Sequence, residues 1–215
     1  MKHKEALNNE IFSVITKAST NLKLQSYVIG GYVRDYLLER GLKKDIDIVT
    51  LGDGINLAKE VSNLLPHKPK VKVFKTYGTA MLRFNDIDIE FVGARKESYS
   101  KESRNPKVEV GTLEDDQNRR DFTINTLAIS ISESDYGQLI DPFNGLKDLK
   151  DKCIKTPLEP DITYSDDPLR MLRAIRFASQ LNFKIQKASL DAITKNANRI
   201  GIITNERIVD EINKI

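Results

Sequence analysis

Apolar residues recur at helical spacing near the start of the chain. Leu7, Ile11, Val14, Ile15 and Ala18 share one face between about Lys4 and Leu24, which predicts an amphipathic helix. Tyr27-Val28-Ile29 predicts a short strand and Gly30-Gly31 a tight turn. Val33, Leu37 and Leu38 then predict a helix from Tyr32 to Arg40, stopped by Gly41. Lys44-Asp45-Ile46-Asp47-Ile48-Val49 alternates polar and apolar, the pattern of a half-buried strand. A helix is expected over about Ile55–Leu65, ended by Pro66. Strands follow at Val71–Phe74, Thr79–Phe84 and Ile87–Val92, the last two joined by a turn at Asn85-Asp86.

The pattern fades between Ala94 and Asn118, where charges dominate and apolar residues are few, so a long exposed loop is expected there. Beyond Asp121 a short helix is expected through Thr123–Ala128 and a strand near Ile129–Ile131. After Asp141-Pro142 the expectation is helical: Asp166–Leu181, Gln186–Ala197 and Asn205–Ile215. The fold class is therefore α+β, with a small mixed sheet, followed by an all-α part. The boundary is placed near residue 145, giving domains 1–145 and 146–215. The last helix reaches Ile215 without a stop signal, the pattern expected of a piece of something longer.

Composition narrows the class. With 215 residues, 40% of them hydrophobic, the chain can bury a real core. No apolar run approaches the ~20 residues that span a bilayer, and the first ten residues are too polar for a signal peptide. Cys153 is the only cysteine, which excludes an internal disulfide and a cysteine zinc site and suits the cytoplasm. A net charge of +3, from 34 Lys and Arg against 31 Asp and Glu, permits a nucleic-acid partner without requiring one. His3 and His67 have no acid–base or metal partner by spacing.

Asp45 and Asp47 are the sharpest chemical feature. On a strand, residues i and i+2 point to one face, so both carboxylates project together while Ile46 and Ile48 enter the core. Such a pair can share Mg²⁺, a hard ion held by one or two carboxylates plus substrate phosphates. Taken alone, a solvated strand face explains it as well. The turn before it shifts the balance. Gly30-Gly31 lets a phosphate approach the backbone at a helix start, and Arg34 adds a bidentate donor. No third glycine completes a dinucleotide fingerprint. Together these residues describe a site for a nucleoside triphosphate with Mg²⁺.

The stretch Val28-Ile29-Gly30-Gly31-Tyr32-Val33-Arg34-Asp35-Tyr36-Leu37-Leu38 with Asp45-Ile46-Asp47 resembles the first motif of the class II bacterial tRNA nucleotidyltransferase (CCA-adding) and poly(A) polymerase family. Four more stretches match in the family's order. Arg119-Arg120-Asp121-Phe122-Thr123-Ile124-Asn125 resembles the second motif and Asp141-Pro142-Phe143-Asn144-Gly145-Leu146-Lys147-Asp148-Leu149 the third. Asp166-Asp167-Pro168-Leu169-Arg170-Met171-Leu172-Arg173-Ala174-Ile175-Arg176-Phe177 resembles the fourth, beginning Asp-Asp where the family has Glu-Asp. Glu206-Arg207-Ile208 through Glu211 is similar to the fifth.

The resemblance implies a polymerase β-like nucleotidyltransferase head and a helical neck. It implies that Asp45 and Asp47 hold Mg²⁺, with Glu90 as a third active-site carboxylate. Gly30, Gly31 and Arg34 would grip the triphosphate, and Arg120, Asp121 and Asn125 would order the sugar and a nearby loop. Asp167 and Arg170, at i and i+3, are expected on one helix face. A carboxylate acceptor beside a guanidinium donor suits cytosine and adenine, which present an amine beside a ring-nitrogen acceptor, and leaves groups unpaired against uracil and guanine. Arg173 and Arg176 continue the stripe toward sugar, phosphates or RNA. A solvated face with a surface ion pair is the plain alternative.

The implied activity is template-independent addition of nucleotides from CTP and ATP to an RNA 3′ end, in the first place CCA on tRNA. Poly(A) polymerase and partial CC- or A-adding activity are the alternatives within the family. A non-catalytic nucleotide- or RNA-binding module is the alternative of another class. No protein or membrane partner is implied. The family's body and tail domains would follow the neck, so these residues are expected to bind nucleotide but to hold tRNA poorly.

Overall fold

Asn9 starts the first helix by accepting the Ile11 amide hydrogen on its side chain, and α1 (Glu10–Leu22) buries Ile11, Phe12, Ile15 and Ala18. The computed structural model describes residues 2–41, 44–100 and 103–215. After α1 come β1 (Ser26–Ile29), α2 (Gly31–Leu37), β2 (Asp45–Thr50), α3 (Gly54–Leu64), β3 (Lys72–Phe74), β4 (Thr79–Phe84) and β5 (Ile87–Gly93). Next are β6 (Arg95–Ser100), β7 (Ser103–Val110), α4 (Leu113–Asn118), β8 (Ala128–Ser130) and β9 (Leu139–Ile140). The remainder carries α5 (Gly145–Lys150), β10 (Cys153–Ile154), α6 (Pro160–Asp166), α7 (Leu169–Leu181), β11 (Lys184–Ile185), α8 (Lys187–Asn196) and α9 (Asn205–Ile212).

Two compact units divide the chain. The first comprises Met1–Arg95, Val110–Asp116 and Leu127–Pro142; the second comprises Lys96–Glu109, Gln117–Thr126 and Phe143–Ile215. In the first unit a mixed sheet has the order β3-β4-β5-β2-β1-β8-β9, with β2 and β5 parallel and their other neighbours antiparallel. Ile46, Ile48, Ile89 and Phe91 are buried on one face, where α3 lies over β4 and β5 and α1 packs beside α3. Each such side chain contributes roughly 2 kcal/mol when withdrawn from water, which fixes the strand register and so decides where the intervening aspartates point. On the other face Tyr27, Ile29, Val49, Ala94 and Ala128 form a smaller core, with Leu113 packed against it.

Helix α2 ends earlier than expected. Glu39 takes a left-handed φ of 54°, its N–H donates to Tyr36 O at 3.0 Å, and the Arg40 N–H donates to Asp35 O at 2.9 Å. This Schellman turn closes the helix before Gly41, with a glutamate where glycine is usual.

The charged stretch after Ala94 is not the expected loop: β6 and β7 pair in a two-stranded ladder, and α4 follows. Main-chain hydrogen bonds hold such a ladder together. Val108 and Val110 are exposed, so no apolar alternation marked it. Thr123–Asn125 is one 3-10 turn rather than a helix reaching Ala128, which instead begins β8.

The second unit is helical, apart from that ladder and a two-residue parallel one between β10 and β11. Helices α5 and α6 were not anticipated, and the helix expected from Asp166 is interrupted. α6 ends at Asp166, Asp167 is extended at φ −134° and ψ 97°, and α7 begins after Pro168. A residue before proline is kept out of helical conformation by the ring, which accounts for the break. Among the described residues no helix is long and apolar enough to cross a membrane.

Candidate active site

In the first unit the acidic residues form rows across the sheet. Asp47 pairs with Glu90 on β5 and with Ile29 on β1, while Asp45 pairs with Asp88. Paired residues share a face, so Asp45, Asp47, Asp88 and Glu90 all project opposite to buried Ile46 and Ile89. Asp45 is exposed and Asp47 half-buried. The row of Asp45 ends in a cation: Arg83 of β4 pairs with Asp88 in register and approaches it at 3.8 Å. Arg83 and Asp88 face each other across the β4–β5 hairpin, whose turn at Asn85-Asp86 the sequence marks, whereas the pairing of Asp88 with Asp45 depends on the crossover from β2 to β5.

The glycine turn leaves β1 directly beside Asp47, since its partner Ile29 is the residue before Gly30. Gly30 takes φ 81° and ψ −135°, a conformation closed to side chains with a Cβ, and this bend turns strand into helix. Arg34 is buried, with Nε 2.8 Å from Asp35 Oδ1 and Nη2 3.1 Å from Asp35 Oδ2. The same Nη2 lies 3.7 Å from where a Cβ on Gly31 would stand. The guanidinium thus sits against the turn, oriented by Asp35.

The second unit brings together most of its expected site residues, through contacts the sequence did not reveal. Buried Asp121 accepts Asn125 Nδ2 at 2.9 Å and the Phe122 N–H at 2.8 Å on Oδ1. Its Oδ2 accepts Arg173 Nε at 2.8 Å. Burial opposes ionisation of Asp121, but the Arg173 charge and the hydrogen bonds of Asn125 and Arg173 outweigh it, holding the carboxyl below its ordinary value. Arg173 also reaches Glu211 at 3.7 Å, and Glu211 binds Arg176 Nε at 2.7 Å. Arg176 lies over the Phe177 ring at 4.3 Å. The charges of Arg173 and Arg176 are therefore engaged inside the unit.

Arg170 is buried and donates from Nη2 to the Arg119 carbonyl at 2.7 Å, while Arg119 approaches Glu97 at 3.4 Å. Arg120 is half-buried in the turn after α4. Asp167 does not share a helix face with Arg170, as the i, i+3 spacing had suggested. It precedes α7, and its Oδ1 accepts the Leu169 N–H at 3.2 Å. Burial pushes the Asp166 carboxyl above its ordinary value, against the lowering charges of Arg170 and Arg199. Glu211, the hub of this network, belongs to the fifth motif, and its place in the sequence points to neither arginine.

Among the described residues no group of three or more His, Cys, Asp or Glu side chains is arranged to hold a metal ion. The donor set is instead a carboxylate pair on one strand face, hard oxygens that suit Mg²⁺ when phosphate oxygens supply further ligands.

A carboxylate pair beside a glycine turn on a mixed sheet, with a helical part after it, is the architecture of a nucleotidyltransferase head and neck. The chain belongs to the poly A polymerase head domain family, whose model matches residues 26–155. A second model, described as a probable RNA and SrmB-binding site of polymerase A, matches residues 182–215. The chain is 44% identical over 192 residues to an A-adding tRNA nucleotidyltransferase of Aquifex aeolicus, covering 88% of this chain and 23% of that protein. It resembles a crystal structure of a tRNA nucleotidyltransferase complexed with a primer tRNA and an incoming ATP analog. The TM-score is 0.79 and the identity 38%, over 93% of this chain and 55% of that one. It also resembles a CCA-adding enzyme with CTP, with TM-score 0.84 and 30% identity over 100% of this chain and 49% of that one. The chain spans about half or less of the length of the curated relatives it matches.

Proposed function

We propose that residues 1–145 are the catalytic head, and 146–215 the base-recognising neck, of an enzyme that extends the tRNA 3′ end from CTP and ATP without a nucleic-acid template. The observation that carries this reading is the position of Asp47, flanked by Glu90 on one neighbouring strand and by the end of β1, just before Gly30, on the other.

In this reading Asp45 and Asp47 hold Mg²⁺, which when bound supplies positive charge for the reacting hydroxyl and the triphosphate. Gly30 and Gly31 let the triphosphate approach the backbone, and Arg34, held by Asp35, adds charge beside them. The RNA 3′ hydroxyl attacks the α-phosphate in line and pyrophosphate leaves, so the protein's work is alignment and charge neutralisation. Asp167 accepts from the exocyclic amine of C or A, and Arg170 donates to the ring nitrogen. Arg120, Asp121 and Asn125 order the sugar. Arg173 and Arg176 act as positioning residues, since their charges are bound to Asp121 and Glu211. Cys153 as a lone thiol suits a cytoplasmic location.

A second reading, addition of the terminal A alone, is favoured by the name of the Aquifex aeolicus relative. Incubating the protein with Mg²⁺ and tRNAs ending before CCA, after C and after CC, one nucleotide at a time, tests both. Extension of all three supports CCA addition, and extension of the last alone supports A addition. A growing A tail assigns poly(A) synthesis. No extension by the wild type, or full extension by Asp45→Asn with Asp47→Asn, overturns the proposal.

A further inference from the structure

The row that contains Asp47 and Glu90 continues outward. Glu90 pairs with Met81 on β4, and Met81 with Lys72 on the edge strand β3. On this side of Glu90 lies a cleft of about 400 Å³ lined by Phe74, Tyr77, Thr79, Met81, Glu90 and Arg95. Phe74 and Tyr77 are 43% and 66% exposed, a large apolar area to leave in water. Arg95 Nη1 donates to the Tyr77 carbonyl at 3.2 Å and fixes the turn that carries the ring. Lys68, Lys70, Lys72 and Lys75 are all exposed along the same segment. Exposed aromatics interleaved with lysines form the usual platform for single-stranded nucleic acid: rings for bases, ammonium groups for phosphates.

The two sides of the acid row differ. The glycine turn and Arg34 lie on the β1 side of Asp47, and the aromatic cleft lies on the far side of Glu90. Two reactants must meet at the acids, and the triphosphate takes the glycine side. We propose that the cleft receives the 3′-terminal nucleotide of the RNA, its base stacked on Tyr77 and Phe74 and its phosphates facing Lys72 and Lys75. Stacking tolerates any base, as an RNA end that changes with each addition requires. This rests on the functional reading above.

The probe is a short RNA hairpin with a single-stranded 3′ end carrying 2-aminopurine as its last base. Stacking quenches its fluorescence without any reaction. Wild type is expected to quench it. Phe74→Ala and Tyr77→Ala are each expected to lose quenching and raise KM for the RNA about tenfold. KM for the nucleotide and the melting temperature should stay unchanged, because both rings are exposed, and Tyr77→Trp should restore quenching. Lys72→Glu should flatten the salt dependence of RNA binding. An unchanged RNA KM and quench in the double alanine variant, or a rise confined to the nucleotide KM, overturns the inference. Wild-type extension with an indifferent double variant sinks only the cleft. Quenching that the alanine variants lose, with no extension by wild type, sinks only the functional reading.

Discussion

Asp121 and Arg173 form a buried pair through two nitrogens on one carboxylate oxygen, Nε at 2.8 Å and Nη2 at 2.6 Å, across a sequence separation of 52 residues. The pair ties the turn of the second motif to α7. Removing one charge of a buried pair costs about 3–5 kcal/mol, and Arg173 is 32% exposed, which reduces the loss. Asp121→Asn is expected to lower stability by about 2 kcal/mol, read from the denaturant midpoint. The pH dependence carries a sign. A carboxyl held below its ordinary 3.8 stabilises fully above that value, and the contribution is lost as pH falls through the folded-state value. The acid limb of wild-type stability should therefore be steeper than that of Asp121→Asn.

Glu211 shares Arg173 with Asp121 and binds Arg176 on its other oxygen. Two sites with a common partner do not act independently. A double-mutant cycle of Asp121→Asn with Glu211→Gln should give a coupling of about 0.5–1 kcal/mol. A coupling near zero would mean that the two acids are not linked through Arg173.

Local pattern made the head's strands legible. The alternation around Asp45 and Asp47, and the turn at Asn85-Asp86, are consequences of one-sided burial and short connections. The ladder of β6 and β7 was not legible, because Val108 and Val110 are exposed, no apolar alternation runs through its sequence, and the charges there read as loop. The break at Asp167 had a visible cause in Pro168, but the arginine spacing suggested a continuous helix. The partners of Arg173 and Arg176 were hidden for another reason: Glu211 lies 35 residues beyond Arg176, and no local rule pairs them.

Within the acid rows the two aspartates of β2 differ from their neighbour on β5. Asp88 has Arg83 at 3.8 Å in the adjoining strand, a partly exposed pair of small energetic weight. Asp88→Asn is expected to leave nucleotide addition within about twofold of wild type. In the proposed role Asp47→Asn removes the carboxylate charge that would hold Mg²⁺ beside the triphosphate, and should lower kcat by about 10³-fold. Single-turnover extension of a tRNA ending in CC measures both. Equal losses would place Asp88 inside the reacting site.

Glu39 stands where a Schellman turn prefers glycine, at φ 54° and exposed. A left-handed side-chain residue costs about 1 kcal/mol, part of which glycine returns as unfolded-state entropy. Glu39→Gly should raise stability by roughly 0.5 kcal/mol, whereas Glu39→Val should lower it by more, since a branched side chain resists this conformation. Urea melts of the pair decide it, and the two changes should have opposite signs.

Gly31 separates a folding role from a binding role. A Cβ there would meet only Arg34 Nη2, at 3.7 Å, an ordinary contact, and its φ is not left-handed, unlike that of Gly30. Alanine also favours a helical first turn over glycine. Gly31→Ala should therefore leave stability within about 0.5 kcal/mol. A triphosphate lying against this backbone would meet the added methyl directly, so KM for CTP and ATP should rise about tenfold with the RNA KM unchanged. Gly30→Ala should instead fail in the fold itself, because φ 81° excludes a side chain. Unaltered nucleotide KM in a stably folded Gly31→Ala variant would remove the turn from the triphosphate grip and leave it as the bend that starts α2.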